Sequence, residues 1–337
     1  MIDPALDSGL NEAARALDVD WRGAWIGPAD DGTVRAWPES LASALGVAAV
    51  TPKGALRLTS VLEPVRSAPG HRSESITELR GGEHLTGLLR REDWWLVVGE
   101  DGYVGWIHDW VIASDDPDRR AARVGAWIGR YARPLGTLWI ADNHAGQPLV
   151  LGTPLLRVGA DNVARGGWRL VATPTGTEGW LAEDEIETST DPSSRALLRR
   201  ARSLLGVPYR WGGRSPLGFD CSGFVQYLFA LGGMRLPRDA SQQEHVGEAI
   251  ATDRDAWVAG DVLFFGAPAD HVGVFDGKRS MIHCRASVVK QPLDDLAPLL
   301  ERLSGVRRVT AAQTVATATL WLRPPDATPD ATPDAMP

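Results

Sequence analysis

Apolar and polar residues change their period along this chain, and the changes divide it. Between about residues 50 and 188 they alternate in short runs separated by Gly-rich turns, the pattern of half-buried strands. Trp94-Trp95-Leu96-Val97 followed by Gly102-Tyr103-Val104-Gly105-Trp106-Ile107 recurs as Trp168-Arg169-Leu170-Val171 followed by Gly176-Thr177-Glu178-Gly179-Trp180-Leu181, both halves at the same 74-residue offset. A shared offset within each half predicts two copies of one small β-barrel, over about 50–118 and 119–188. Thr188 to Ser193 is a polar linker with a proline. The period then becomes helical, with Ser193 or Ser194 as N-cap and an end near Leu205; Arg195, Arg199, Arg200 and Arg202 are expected on a solvated face.

A second helical run opens at Asp220. Phe224, Val225, Leu228, Phe229 and Leu231 supply its apolar face, and Gly232-Gly233 ends it. Farther on, the apolar run Val262-Leu263-Phe264-Phe265 precedes His271-Val272-Gly273-Val274-Phe275. Asp276-Gly277-Lys278 reads as a turn into Ser280-Met281-Ile282-His283-Cys284, which predicts an antiparallel hairpin. Residues 9–18 read as a short helix within an irregular segment 1–49. The Pro-Asp-Ala-Thr repeats near the end, within 311–337, read as a disordered tail after a last strand.

Composition narrows the function. A formal net charge of −8 argues against nucleic acid or an anionic membrane surface as partner, since both require a basic face. No stretch approaches the roughly 18 apolar residues of a membrane helix. The start lacks a basic and then apolar leader, so a soluble cytoplasmic monomer is the expectation. Two cysteines, Cys221 and Cys284, make no disulfide framework and leave room for one thiol with a special role.

Asp220 as N-cap places Cys221 in the first helical turn. There the helix dipole and the free N–H groups favour a thiolate, toward a pKa of ~7. The bland reading of Cys221 is a small buried apolar residue. His271 at the start of one strand and His283 in its partner should share a sheet face, opposite the helix-start thiol, which gives a nucleophile, a base and an orienting group. Strand alternation turns Cys284 away from that face, into the core. A zinc site from Cys221, His271, His283 and Cys284 is the competing idea; it fails on the same alternation and on ligand spacing.

Pro208-Tyr209-Arg210-Trp211-Gly212-Gly213, then Gly218-Phe219-Asp220-Cys221-Ser222-Gly223-Phe224-Val225, and His271-Val272-Gly273-Val274 resemble the NlpC/P60 family of papain-like cell-wall peptidases. The repeats resemble bacterial SH3 domains. The resemblance implies an α+β papain-like catalytic domain over 189–310, preceded by two small all-β SH3-like barrels. It is the layout of γ-D-glutamyl-L-diamino acid endopeptidases that recycle cell-wall peptides. It also implies Cys221 as nucleophile, His271 as base, His283 as orienting residue and Tyr209 at the oxyanion, with no metal or other cofactor. The substrate would be a murein peptide beginning L-Ala-γ-D-Glu. Its free amine would be held by Asp220 and by Tyr103 and Glu74 of the first barrel. Ser222, Trp211, Asp239 and Ser241 are the other expected substrate contacts. Two alternatives stay open: an amidase or acyltransferase of the same superfamily, and a non-catalytic wall-binding protein. The chain departs from the family pattern at Cys284, where a small residue is usual, and residues 1–48 match nothing in it.

Overall fold

The computed structural model describes residues 54–310, apart from residue 116 and the stretches 141–145 and 160–162. The expected helix at 9–18 and the tail at 311–337 lie outside the described residues.

The first barrel contains β1 (Gly54–Leu58), β2 (Leu62–Arg66), β3 (Ser75–Arg80), β4 (His84–Arg91), β5 (Trp94–Val98), β6 (Val104–His108) and β7 (Ile112–Ser114). Their order in the sheet is β3-β2-β6-β5-β4-β1-β7. A helix, α1 (Pro117–Gly125), follows and spans the point at which the sequence reading divides the two copies. The second barrel comprises β8 (Trp127–Tyr131), β9 (Leu135–Trp139), β10 (Gly146–Val150), β11 (Pro154–Arg157), β12 (Ala164–Arg165), β13 (Trp168–Ala172), β14 (Glu178–Ala182) and β15 (Ile186–Glu187).

The repeat extends to hydrogen-bond register. In β5–β6 the facing residues are Trp94 and His108, Leu96 and Trp106, and Val98 and Val104. In β13–β14 they are Trp168 and Ala182, Leu170 and Trp180, and Ala172 and Glu178. Each position is its counterpart moved by the same offset. The inward residues Val97 and Ile107 find equivalents in Val171 and Leu181, buried in the two barrel cores.

The third unit begins with α2 (Ser194–Ser203), capped by the Ser193 hydroxyl, which accepts from the Ala196 amide. Its arginines are not all solvated: Arg200 is buried, donating to Glu187 (3.1 Å) and to the Asp191 carbonyl (3.0 Å). The period of four arginines in eight residues does not reveal that one faces the second barrel. Next come β16 (Arg214–Ser215), β17 (Gly218–Phe219), α3 (Cys221–Leu231) and α4 (Ala240–Gln243). The remaining elements are β18 (Glu248–Ile250), β19 (Val262–Phe265), β20 (His271–Phe275), β21 (Ser280–Cys284), β22 (Val288–Pro292), α5 (Ala297–Leu300) and β23 (Leu303–Arg308). The six-stranded sheet runs β18-β23-β19-β20-β21-β22.

Alternation gives this sheet two apolar faces. Val262, Phe264, Val272, Val274, Ile282 and Cys284 pack with Phe224, Val225 and Leu228 of α3. Leu263, Phe265, Phe275 and Met281 face the other way, against Leu293 and Leu296. Each large apolar side chain so buried contributes about 1.5–3 kcal/mol.

Both barrels contact the third unit. Glu78 of β3 pairs with Arg210 and accepts from the Arg214 amide (3.2 Å), while the Arg214 guanidinium reaches the Glu78 carbonyl (2.8 Å). Buried Asp101 lies 3.5 Å from Arg214 and accepts from Gln226 (3.1 Å). Burial opposes ionisation of Asp101, but Arg214, the Tyr103 amide and Gln226 hold its carboxyl below the usual range. From the second barrel, Arg130 donates to the Leu231 carbonyl at the end of α3 (2.6 Å), and Tyr227 of α3 donates to the Leu151 carbonyl.

Gly212 sits at the first of these contacts with φ +74°, and a Cβ there would come within 2.8 Å of the Ser75 carbonyl oxygen and 3.2 Å of the Ile76 carbonyl carbon. Both the backbone conformation and the missing side chain are therefore required. Gly212→Ala should cost about 1–3 kcal/mol and loosen the first barrel. Thermal melting and limited proteolysis measure this; an unchanged Tm with unchanged cleavage sites would refute it.

Candidate active site

Asp220 is the N-cap of α3, its Oδ1 accepting from the Gly223 amide at 2.7 Å. This starts the helix at Cys221 and leaves the first amides of the turn without intrahelical acceptors. Cys221 Sγ lies 3.9 Å from the Asp270 carbonyl oxygen, and the Val272 amide hydrogen-bonds to the sulfur, so the thiol touches the backbone on either side of His271.

The imidazoles continue from there. His271 Nε2 is 2.8 Å from His283 Nδ1, and His283 Nε2 is 2.7 Å from Gln291 Oε1. An amide oxygen only accepts, so His283 carries its proton on Nε2 and accepts on Nδ1. His271 then donates from Nε2, which leaves its Nδ1 with a lone pair to take a proton. Gly273 faces His283 across the hairpin, where a Cβ would lie 2.8 Å from the His283 Cβ and 2.7 Å from Met281 Sδ. Any larger residue would push the ring out of line.

The two imidazoles share a sheet face, as expected; it is the face of Leu263, Phe265 and Met281, opposite the one that packs against α3. The thiol reaches the start of that strand, because His271 is the first residue of β20. The thiolate expectation changes. Burial and then the Asp220 carboxylate push Cys221 up to about 11, against the pull of the Ser222 amide, Arg238 and the Val272 amide. Burial, then the His283 ring and Arg285, push His271 down to about 4; His283 is also lowered, first by burial. Burial thus favours the thiol and the neutral imidazoles over an ion pair.

Tyr209 is half-buried beside the thiol. Burial and then Cys221 push its phenol up to about 12, which keeps it a proton donor. Cys284 is fully buried on the α3 face, its Sγ 3.2 Å from the Phe219 carbonyl oxygen.

The expected amine contacts separate. Asp220 is committed: beyond Gly223 it accepts from the Gly212 amide (3.0 Å), from Ser222 Oγ (3.4 Å) and from both terminal nitrogens of Arg238. Five donors fill a carboxylate's lone pairs, so Asp220 holds the loop and helix rather than an open ligand site. Ser222 is drawn into the same cluster, its hydroxyl 2.9 Å from Arg238. Glu74 does reach the third unit, accepting from Nε1 of the exposed Trp211 at 2.8 Å. Tyr103 is buried in the first barrel core. Asp239 closes a capping box with Gln242 on α4. Ser241 is half-buried on that helix, and nothing in the structure brings it to the thiol.

Sequence reasoning missed Arg238, which anchors Asp220, and Gln291, which ends the imidazole chain. Gln291 had a signal: in β22 it lies across from Met281, two residues from His283 on the same face.

Residues 206–308 match the NlpC/P60 family, and residues 60–113 match the bacterial SH3 domain. The chain carries an NlpC/P60 domain behind a bacterial SH3 domain. A γ-D-glutamyl-L-lysine dipeptidyl-peptidase of Bacillus cereus is 27% identical over 251 residues, 67% of this chain and 73% of that protein. Its Bacillus subtilis counterpart is 29% identical over 188 residues, 54% of this chain and 60% of that one. The crystal structure of an NlpC/P60 family protein from Bacillus cereus shares the fold, with a TM-score of 0.66 at 22% identity over 76% of this chain and 99% of that one.

Two outcomes follow for the NlpC/P60 domain. Iodoacetamide labelling of Cys221 should keep accelerating from pH 7 through pH 10, since burial favours the thiol; a plateau below pH 8 would mean a resting ion pair. For the imidazoles, the unfolded chain binds protons below about pH 6.5, whereas folded His271 refuses them until about 4. Stability is then fully present above pH 6.5 and falls as pH drops toward 4. Urea unfolding of wild type and His271→Gln at pH 5 and 7.5 tests this; an equal drop in both proteins would remove His271 as a source.

Proposed function

We propose that this chain is a cysteine peptidase that hydrolyses the γ-D-Glu–diamino acid bond of free murein stem peptides with an N-terminal L-Ala. The observation that carries the reading is the thiol at the start of α3, beside the imidazole chain and within one domain contact of Glu74. The names of the Bacillus relatives support the bond type.

Cys221 attacks the γ-carbonyl carbon while its proton passes to Nδ1 of His271. His283, held by Gln291, keeps His271 in that tautomer. The oxyanion develops near the Cys221 amide and the Tyr209 hydroxyl, worth about 3 kcal/mol per donor. Collapse breaks the C–N bond as His271 returns its proton to the leaving amine, and water then hydrolyses the thioester. With burial raising the thiol and lowering the imidazole, the proton moves as the carbonyl is attacked.

Selectivity for a free amine falls to Glu74, which its hydrogen bond from the exposed Trp211 holds where the first barrel meets the catalytic domain. An ammonium group gives Glu74 a charge-assisted hydrogen bond that an acylated nitrogen does not replace. Intact wall, whose stem peptides are acylated by sugar, would be spared. Such selectivity suits a scavenger of peptides inside the cell, and no helix among the described residues is long and apolar enough to cross a membrane.

The test is kcat/KM on L-Ala-γ-D-Glu-diaminopimelate and its N-acetyl form. Wild type should prefer the free amine, and Glu74→Gln should lose roughly 10- to 100-fold of that preference. Cys221→Ala should be inactive while still folded. Equal cleavage of both peptides by wild type would defeat the amine reading; activity in Cys221→Ala would defeat the nucleophile.

A further inference from the structure

One charge beside the imidazoles has no use in the steps above. Arg285 follows Cys284 where β21 ends and the chain turns. Its amide donates to the Ser287 carbonyl (3.2 Å), and the next carbonyl, of Ala286, accepts from the Tyr209 amide (2.9 Å). Pro208 and Ser287 are bridged alongside. The turn is thereby pinned to the segment that carries Tyr209, so residue 285 stands at the rim of the site. Alternation returns it to the side of His283, opposite the core side taken by Cys284.

The Arg285 side chain is exposed and has no hydrogen-bond or ion-pair partner among the described residues. The surrounding arginines are all committed: Arg302 to Asp270 (2.5 Å), Arg238 to Asp220, and Arg210 and Arg214 to Glu78. The charge of Arg285 is nonetheless felt at both rings, helping burial to lower His271 and His283. An unpaired guanidinium on the imidazole side of a cleft, in a chain of net charge −8, is suited to a substrate anion.

Which part of the substrate lies there follows from the chemistry. His271 must hand its proton to the departing nitrogen, so the leaving diamino acid lies against the imidazoles and the acyl part toward the thiol and first barrel. We infer that Arg285 binds a carboxylate of the leaving diamino acid. That carboxylate is either the distal one, which diaminopimelate has and lysine lacks, or the α-carboxylate left free at the end of a tripeptide. The inference rests on the peptidase reading and adds what the enzyme recognises beyond the scissile bond.

The experiment compares kcat/KM for L-Ala-γ-D-Glu-diaminopimelate, L-Ala-γ-D-Glu-L-Lys and L-Ala-γ-D-Glu-L-lysinamide in wild type, Arg285→Gln and Arg285→Glu. Arg285 is exposed, so both variants should fold, which melting curves verify. Wild type should show about a tenfold preference at one step of the series. Diaminopimelate over lysine identifies the distal carboxylate; lysine over lysinamide identifies the α-carboxylate. Arg285→Gln should erase that preference, and Arg285→Glu should invert it. A uniform loss on all three peptides overturns the inference, because only the D-Glu carboxylate is common to them. So does a shifted pH–rate profile with unchanged ratios, which would leave Arg285 acting on the imidazoles alone. No cleavage of any peptide by wild type would overturn the peptidase reading itself.

Discussion

The buried pair of Arg238 and Asp220 is the contact on which the rest of the site depends. Arg238 is almost wholly enclosed, and its terminal nitrogens hold both Asp220 oxygens. Its Nε donates to Thr77 of the first barrel at 2.8 Å, and one terminal nitrogen also reaches Ser222. Asp220 in turn caps α3 and fixes the Gly212 amide. One ion pair thus sets the start of the thiol helix, the loop before it and the position of a separate barrel. Burial alone would lower the guanidinium's affinity for its proton, but the Asp220 carboxylate reverses this and raises it. Desolvating two charges is offset only when such extra hydrogen bonds are made; losing one partner would cost about 3–5 kcal/mol.

That choice of N-cap has a chemical consequence. A carboxylate is a strong cap, but here it also stands one residue from the thiol and disfavours a second negative charge. Arg238 cancels part of the effect, and the helix-end amides cancel more, yet burial and Asp220 prevail. The imidazole chain matches this. It ends on a neutral amide, Gln291, where a carboxylate would stabilise an imidazolium. A buried thiol that stays protonated is less reactive toward stray electrophiles.

What could be read from the sequence was what is local or periodic. The Asp220 cap, the hairpin and the core-facing Cys284 each follow from residues within a dozen positions. The repeat could be read down to its register because both copies keep the same spacing between paired strands. Contacts between units were closed to that reasoning. Arg238 meets Thr77 across 161 positions, and Glu78 meets Arg214 across 136. No periodicity links such residues, and Arg200 looked solvated for the same reason. Gly273 was part of a legible motif, but its role as clearance for the His283 ring needed the cross-strand geometry.

The two barrels, alike in sequence, act on opposite ends of one helix. The first holds the N-terminus of α3 through Thr77, Glu78 and Asp101, and brings Glu74 beside Trp211. The second holds the other end, through Arg130 on the Leu231 carbonyl and Leu151 under Tyr227. A helix whose unpaired last carbonyls receive a guanidinium is stabilised there as its first amides are by a carboxylate. Because α3 is a rigid rod about three turns long, restraint at its far end also restrains the sulfur at its start. Duplication therefore did not yield two equivalent binding modules. One copy meets the start of α3 with charged side chains, and the other is the abutment for its far end.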